Sequence, residues 1–524
     1  MTTLPSFGPV DVIASVARIA QDDTPGPLLT PAPPTAPIAP AQVPAAVNAG
    51  VSSFGGALPD WSIGQWFGYS VLALIAIGLT VVAVSTLWWM LHAWRDVSSL
   101  AATQFPAEPK KAAHRFTILV PARHEEQVLG ETLDRLAGQT HPDFEIITIV
   151  GHDDPGTELV AREAAARHPH LITVLVDDSE PKNKPKALNL ALTVATGDVV
   201  GVFDAEDEVH PHLLALVDTR FEETDADVVQ GGVQLMNFQS SWWALRNVLE
   251  YYFWFRSRLH FHAKSRFIPL GGNTVFVKRS WLDWSQGWDA DCLAEDCELG
   301  VRLSSAGARV VVAYSPDVVT REETPGTFTS LYKQRTRWNQ GFLQVLGKGE
   351  WRHLPTRRQR GYARYLLSMP FLQAGTGLLV PVSVVLAVAV KVPTPLALLT
   401  FLPLVPTVIT VAAEIAGLAE FGRLYGPKPR LLDYGRLLLG TFPFQVFLAG
   451  AAVRAVFRQL KGENTWEKTE HTGAHRDAPI APAGTALVGA GAAPWPVAST
   501  TRLASTTRLA STAGTGTAET ESRR

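Results

Sequence analysis

Cysteine is nearly absent from this 524-residue chain: only Cys292 and Cys297 occur, in one short stretch with no partner elsewhere. That excludes a disulfide framework and fits a reducing compartment for the region, with both residues read as small, semi-buried packing groups. An excess of either charge is lacking too. With 46 Lys and Arg against 49 Asp and Glu, the net charge is -3. Neutralising phosphates along a polyanion needs a clear basic excess, so no nucleic-acid partner is expected. Before Asp60 the only basic residue is Arg18, and no basic segment precedes an apolar core, so no secretory signal is expected. The chain is too long for one ordinary core.

What it does have is long uncharged runs. Tyr69 to Trp89 lies within an uncharged stretch from Trp61 to Trp94, and Tyr365 to Val390 and Val392 to Ala413 are likewise free of charge. Each exceeds the roughly 20 residues that span a hydrocarbon core as helix. A fourth run, Leu437 to Val453, holds Gly440 and Pro443. At 1.5 Å per residue it reaches only about 25 Å, so it is expected to lie along the inner membrane face or dip into it, against the alternative of a fourth span. Arg95, Lys110, Lys111 and Arg115 follow the first run, and clusters of arginine and lysine flank the later ones. By the positive-inside rule the region after the first span faces the cytoplasm. The expected product is a multi-pass protein of the cell membrane.

The expected organisation follows. Residues 1–60 are an extracytoplasmic Pro-rich segment, 61–94 the first transmembrane helix and 95–114 a juxtamembrane linker. Residues 115–345 are a cytoplasmic catalytic domain, 346–364 an interfacial linker and 365–420 a transmembrane hairpin. Residues 421–475 carry the short apolar segment and a cytoplasmic "WEKTEHTG" loop, and 476–524 a disordered tail rich in Ala, Gly, Thr and Pro.

The domain at 115–345 alternates. "FTILVP" (116–121), "EIITIV" (145–150), "LITVLV" (171–176) and "DVVGVF" (198–203) read as buried strands, with helical spacing near 125–138, 157–168 and 185–196 between them. This predicts an α/β fold with a mostly parallel sheet, in which ligands bind beyond the carboxyl ends of the strands. Acids stand there: "GHDDPGT" after the second strand and "DAED" (204–207) after the fourth. Carboxylates at a strand end suit a hard divalent cation, though a solvated acidic turn explains them as well. "NKPKALN" (183–189) puts Lys184 and Lys186 at a helix start, which favours phosphate or is simply a surface lysine pair. "LAEDCELGVRL" (293–303) places Glu295, Asp296 and Glu298 in a first helical turn, where acids are ordinary partners of the helix dipole.

The order of these pieces, with "LGGN" at 270–273 and "YKQRTRW" at 332–338 ahead of the hairpin, resembles the membrane-embedded family-2 glycosyltransferases: cellulose, chitin and hyaluronan synthases and their bacterial relatives. The resemblance covers roughly 115–345, with weaker likeness through "WEKTEHTG" (466–473). It implies a GT-A nucleotide-sugar domain inserted between transmembrane helices. It also implies roles: Asp153 or Asp154 contacts the donor's uridine, Lys184 its nucleotide and diphosphate region, and Arg337 the diphosphate. Asp204, Glu206 and, as a substitute, Asp207 hold a divalent cation, Mg2+ or Mn2+. Asp296 is the general base, and Gln334 and Trp338 of QxxRW line the acceptor site. Arg335 and Lys333 fit a basic interfacial anchor. The pattern departs twice, with Glu206 where the family usually has Asp and His124 where Asn is common.

The implied reaction moves a sugar, with inversion, from a nucleotide-diphosphate sugar, a UDP-sugar, to a growing β-linked polysaccharide at the cytoplasmic membrane face. One alternative is non-processive transfer to a lipid or lipid-linked acceptor. Another is a catalytically silent scaffold that senses nucleotide sugars. The aromatic stretch 242–261 either borders the acceptor path, rests on the membrane or packs in the core.

Overall fold

The computed structural model describes residues 61–96, 112–389, 392–467, 473, 475 and 476. The Pro-rich amino-terminal segment, the tail beyond Arg476, and Lys468 and His471 of the expected loop lie outside the described residues.

The four expected strands form as β1 (Phe116–Ala122), β2 (Phe144–Gly151), β3 (Ile172–Asp177) and β4 (Val199–Val202). The intervening helices are Leu129–Ala137, Pro155–Arg167 and Lys184–Leu192. Five further strands follow: β5 (Val228–Gly231), β6 (Val233–Leu235), β7 (Val275–Lys278), β8 (Val310–Ala313) and β9 (Thr320–Glu322). Seven of the nine form one sheet in the order β3-β2-β1-β4-β7-β5-β8, and β6 pairs with β9. All neighbours are parallel except β7, which runs antiparallel to both β4 and β5. Helices cover both faces, so the central strands carry apolar residues in unbroken runs and Ile118, Leu119, Val199 and Val228 are fully buried. Between β1, β4 and β7, Phe276 meets Phe203 and Phe116 edge-on at 5.7 and 6.0 Å.

The site's position follows from this order. Strand progression reverses between β1 and β4, and such switch points leave a crevice at the strands' carboxyl ends. The β1–β4 pairing stops at Leu119 and Val202, while β1 continues beside β2 to Ala122. Pro121 has no N–H with which to carry the ladder further. The sheet therefore opens just where Asp204 to Asp207 leave β4.

Among the described residues three helices are long and apolar enough to cross a membrane: Ile63–Met90, the Thr394–Tyr425 stretch and Leu431–Lys461. The apolar run expected from Tyr365 is interrupted at Ser368, so its helix begins at Met369 and reaches Ala389. The run 437–453, expected to be too short, belongs to a helix of 31 residues with Pro443 inside it. That helix is about 46 Å long. Counting uncharged residues left out its flanks, where Asp433, Arg436, Arg454 and Arg458 continue the same helix. Both its ends bind the α/β domain. Gln239 Nε2 donates to Asp433 Oδ2 at 3.4 Å, and Gln340 Nε2 donates to the Glu463 carbonyl at 2.7 Å. Its other side leaves Leu431, Leu439, Phe442, Phe457 and Leu460 exposed.

Ion pairs tie the α/β domain to the apolar helices. Arg246, in the helix Trp242–Phe253, donates to both oxygens of Glu414, in the helix Leu404–Tyr425, at 2.7 and 2.9 Å. Both side chains are largely buried. Replacing Arg246 with Met strands the Glu414 charge and is expected to destabilise the protein by about 3–5 kcal/mol. Arg246→Met with Glu414→Leu should recover most of that loss in thermal unfolding of the detergent-solubilised protein. A double variant as unstable as the single one would show that the pair is not coupled.

Candidate active site

The phosphate-side groups are set by local sequence. In "NKPK", Asn183 caps the helix Lys184–Leu192 by accepting from the Lys186 N–H at 3.0 Å, and a proline lies in the first turn, where no N–H is needed. This fixes Lys184 at the helix start, pointing to the β4 end. Its ammonium bonds the Asp204 carboxylate and the Gly272 carbonyl, the latter at 2.7 Å. Burial opposes the charge, but Asp204, Glu295 and Asp296 outweigh it and hold the Lys184 pKa above that of an ordinary lysine.

The helix Glu295–Ala306 begins without a side-chain cap, and Glu295, Asp296 and Glu298 occupy its first turn. Asp296 Oδ1 accepts from the Cys297 N–H at 2.7 Å. Its Oδ2 lies 3.0 Å from where a Cβ on Gly272 would stand, so a side chain there would press on the Asp296 carboxylate. Burial raises the pKa of both Asp296 and Glu295, against the pull of Lys184 and Arg337. Glu295, further raised by the Asp296 charge, is pushed up to about 7.

Arg337 sits on the helix Phe328–Lys348, donates to the Leu293 carbonyl at 3.1 Å and lies 4.5 Å over the Trp466 ring. A Cβ on Gly341 would stand 2.3 Å from Ala294 Cβ, so this glycine seats the Gln-Arg-Trp helix directly against the Asp296 loop. Trp338 packs against Tyr251 at 6.2 Å, and Gln334 lines the same space with its Oε1 buried. Arg335 corrects an expectation: it is no interfacial anchor but a buried residue that bonds Glu250 at 2.8 Å and Asn247, and stacks on Trp338. Lys333 is exposed.

One cavity of about 910 Å³ gathers Lys184, Asp204, Glu206, Asp296, Arg337 and Trp338. It continues past Gln334 and Tyr251 to Met90, Met369, Gln373 and Thr376, on the apolar helices. Three expected residues are not on its wall. Asp207 lies behind the β4 end, accepting from the Asp204 N–H at 2.8 Å and from Asn273. Burial, then Glu322, Asp204 and Glu206, raise its pKa well above the usual carboxylate range. Asp154 caps the helix Pro155–Arg167 and accepts from the His124 and Thr157 N–H groups. Asp153 pairs with Arg123 at 2.7 Å. Among the described residues, His124, Glu126 and Asp154 bring ligand atoms within 4.8 Å of one another, a constellation able to hold a metal ion.

Sequence reasoning passed over Glu295, Tyr251 and Arg476. Glu295 looked like one more first-turn acid, and Tyr251 was one aromatic among many. Arg476 was assigned to the tail, yet it donates to the carbonyls of Val128 and Glu206 at 3.1 Å each and to Thr132 Oγ1 at 2.6 Å. With Trp466 on Arg337, this carries the end of the described chain across the site.

A mixed α/β sheet with carboxylates and cations at the β1–β4 switch point is the GT-A class of nucleotide-sugar fold. Residues 114–341 match the family model described as "Glycosyltransferase like family 2". The chain thus carries a family-2 glycosyltransferase domain and is a transferase enzyme. It is 24% identical over 418 residues to the β-monoglucosyldiacylglycerol synthase of Trichormus variabilis, covering 78% of this chain and 87% of the relative. It is 26% identical over 252 residues to the poly-β-1,6-N-acetyl-D-glucosamine synthase of Staphylococcus aureus, covering 46% of this chain and 58% of the relative. The structure of a mannosyltransferase from Pyrobaculum calidifontis, in complex with GDP-Man and Mn2+, superposes with a TM-score of 0.51 and 21% identity over 75% of this chain and 99% of the neighbour, a likeness of fold.

The raised Glu295 pKa has a consequence for stability. The folded state holds its proton more tightly than the unfolded state, so the contribution is complete below about 4.5 and is lost as pH rises through about 7. Glu295→Gln, which cannot ionise, is therefore expected to gain in thermal midpoint over the wild type between pH 5 and pH 8. A difference that stays flat across that range would place the Glu295 pKa in the ordinary range.

Proposed function

We propose that this chain transfers a sugar, with inversion, from a nucleoside-diphosphate donor to a hydroxyl group of a membrane lipid. The observation that carries this reading is the single cavity joining Asp296 to the flank of the apolar helices. A donor held over the carboxyl ends of β1 and β4 would place its diphosphate near Lys184 and Arg337. A lipid hydroxyl would arrive from the opposite end, between Trp338, Tyr251 and the helix Met369–Ala389. Kinship to a synthase of glucosylated diacylglycerol supports the same acceptor class.

In the proposed reaction Asp296 accepts the proton of the acceptor hydroxyl as that oxygen bonds the anomeric carbon. The bond from that carbon to the diphosphate breaks, and the electron pair leaves with the phosphate oxygen. Burial makes Asp296 a stronger base than a surface aspartate. Arg337 and Lys184 stabilise the charge that develops on the diphosphate. Asp204 and Glu206 offer the hard oxygen ligands that Mg2+ or Mn2+ requires, and such an ion would neutralise phosphate charge when bound. Asp207, committed to backbone and Asn273, positions Asp204 rather than binding the ion.

A second reading, a growing β-linked polysaccharide, is favoured by Trp338, whose indole face suits a sugar ring, and by kinship to a polysaccharide synthase. In both readings the enzyme belongs to the cell membrane with this domain on the cytoplasmic side, as the basic flanks suggest. The attachment of both ends of the helix Leu431–Lys461 to the catalytic domain supports its lying along that face.

Asp296→Asn tests the mechanism. Transfer, followed as nucleoside diphosphate release with dioctanoylglycerol present, should fall by about 10² to 10⁴-fold. Donor affinity, measured by calorimetry with UDP and GDP, should stay near that of the wild type. Arg337→Ala should weaken both. Near-normal transfer by Asp296→Asn would remove it as the base.

A further inference from the structure

The arginines that line or flank the membrane-side half of the cavity are matched by carboxylates, with one exception. Arg246 pairs with Glu414, Arg256 with Glu420 at 2.7 Å, and Arg335 with Glu250. Arg258 lines the same cavity, yet it forms no ion pair with a carboxylate among the described residues. Its Nε is fully sequestered from solvent without a partner. The carboxylate that acts on it at longer range, Glu250, is already taken by Arg335. Burial lowers the Arg258 pKa, although a guanidinium stays charged at any physiological pH. Leaving such a charge unpaired is costly, so its persistence calls for a compensating group.

Arg258 is also held in place. The indoles of Trp89 and Trp254 flank it, their ring centroids 5.4 and 5.1 Å from its guanidinium carbon. These faces restrain the cation but offer no hydrogen-bond acceptor. Arg258 closes the π-helical turn Trp254–Arg258, the kind of local widening that often marks functional positions in helices. The turn follows Tyr251, which packs on Trp338, so along the helix axis Arg258 stands about 10 Å beyond Tyr251, over Trp89 of the apolar helix Ile63–Met90. Met90, Leu366 and Met369 line this end of the cavity.

We propose that Arg258 is the anchor for a phosphate group on a lipid occupying the cavity, binding that anion where the apolar helices open onto the site. This rests on the lipid reading of the acceptor given above and adds the headgroup chemistry. A planar guanidinium meets phosphate oxygens with paired N–H donors, which an ester or hydroxyl group cannot match in charge. The apolar lining takes the acyl chains, and the lipid's free hydroxyl would extend towards Trp338 and Asp296.

The test uses the full chain in detergent with short-chain probes. Binding of dihexanoyl-phosphatidate, of dihexanoylglycerol and of inorganic phosphate is measured by calorimetry for the wild type, Arg258→Met and Arg258→Lys, with UDP binding as the check that each variant is folded. The proposal expects phosphatidate to bind the wild type and to lose about tenfold or more in Arg258→Met, with part of it restored by Arg258→Lys. Dihexanoylglycerol should bind all three proteins alike. Phosphatidate binding unchanged in Arg258→Met would overturn the anchor while leaving the lipid reading standing. Inorganic phosphate binding as tightly as phosphatidate, and equally sensitive to Arg258→Met, would overturn the lipid as the source of the anion. A wild type that binds UDP but neither lipid would overturn the lipid reading, and the anchor with it.

Discussion

A single half-buried ammonium holds the site together. Lys184 comes from a helix start, Asp204 from the end of β4, Gly272 from the loop before β7, and Glu295 and Asp296 from a helix start more than a hundred residues after Lys184. Each carboxylate alone would be expensive to bury, and the lysine alone equally so. Together they are tolerable, and the requirement that they meet fixes the relative position of the segments that carry them. The glycines at 272 and 341 belong to the same crowding, since a Cβ on Gly341 would collide with Ala294 and one on Gly272 would press on the Asp296 carboxylate. The proposed chemistry exploits this crowding: a base with a raised pKa stands within the field of cations that can receive a diphosphate.

The second constraint is the junction with the apolar helices. It is polar and specific, built from Arg246 and Glu414, Arg256 and Glu420, and the Tyr314 and Tyr425 hydroxyls 2.6 Å apart. Such contacts orient the catalytic domain over the helices without filling the space between them. The cavity is that space. Its catalytic end carries Lys184, Asp296 and Arg337, and its far end sets Met90, Leu366 and Met369 beside the arginines, a lining suited to an acceptor with a polar head and an apolar body.

Much of this was legible in the sequence because it rests on local rules. Strands β1 to β4 were readable because sheets buried on both faces demand unbroken β-branched runs, and the acids after β4 because parallel sheets put ligands at one end. The "YKQRTRW" and "LAED" stretches stood out by order rather than by any one residue. Strands β5 to β9 were not readable, being short segments of three or four residues whose pairing is set by distant partners. Nor was the split among the acids. Asp204 and Asp207 look alike in "DAED", but one faces the cavity and the other the Asn273 side chain, a difference decided by a loop some seventy residues away. The length of the helix Leu431–Lys461 was hidden because its charged flanks are helical by packing against the catalytic domain, whereas the count of uncharged residues saw only its middle. Arg335 and Arg337, two positions apart, could not be told apart by composition, yet one is locked to Glu250 and the other overlies Trp466.

The central claim is that the acceptor reaches Asp296 from the bilayer. Purified enzyme in lipid nanodiscs containing diacylglycerol and phosphatidylglycerol would be incubated with a panel of nucleotide sugars and manganese, and both the organic and the aqueous extracts analysed by mass spectrometry. The account predicts lipid species heavier by one sugar residue in the organic phase, with a β linkage by NMR. Sugar recovered only as a water-soluble polymer, with no glycosylated lipid, would contradict it.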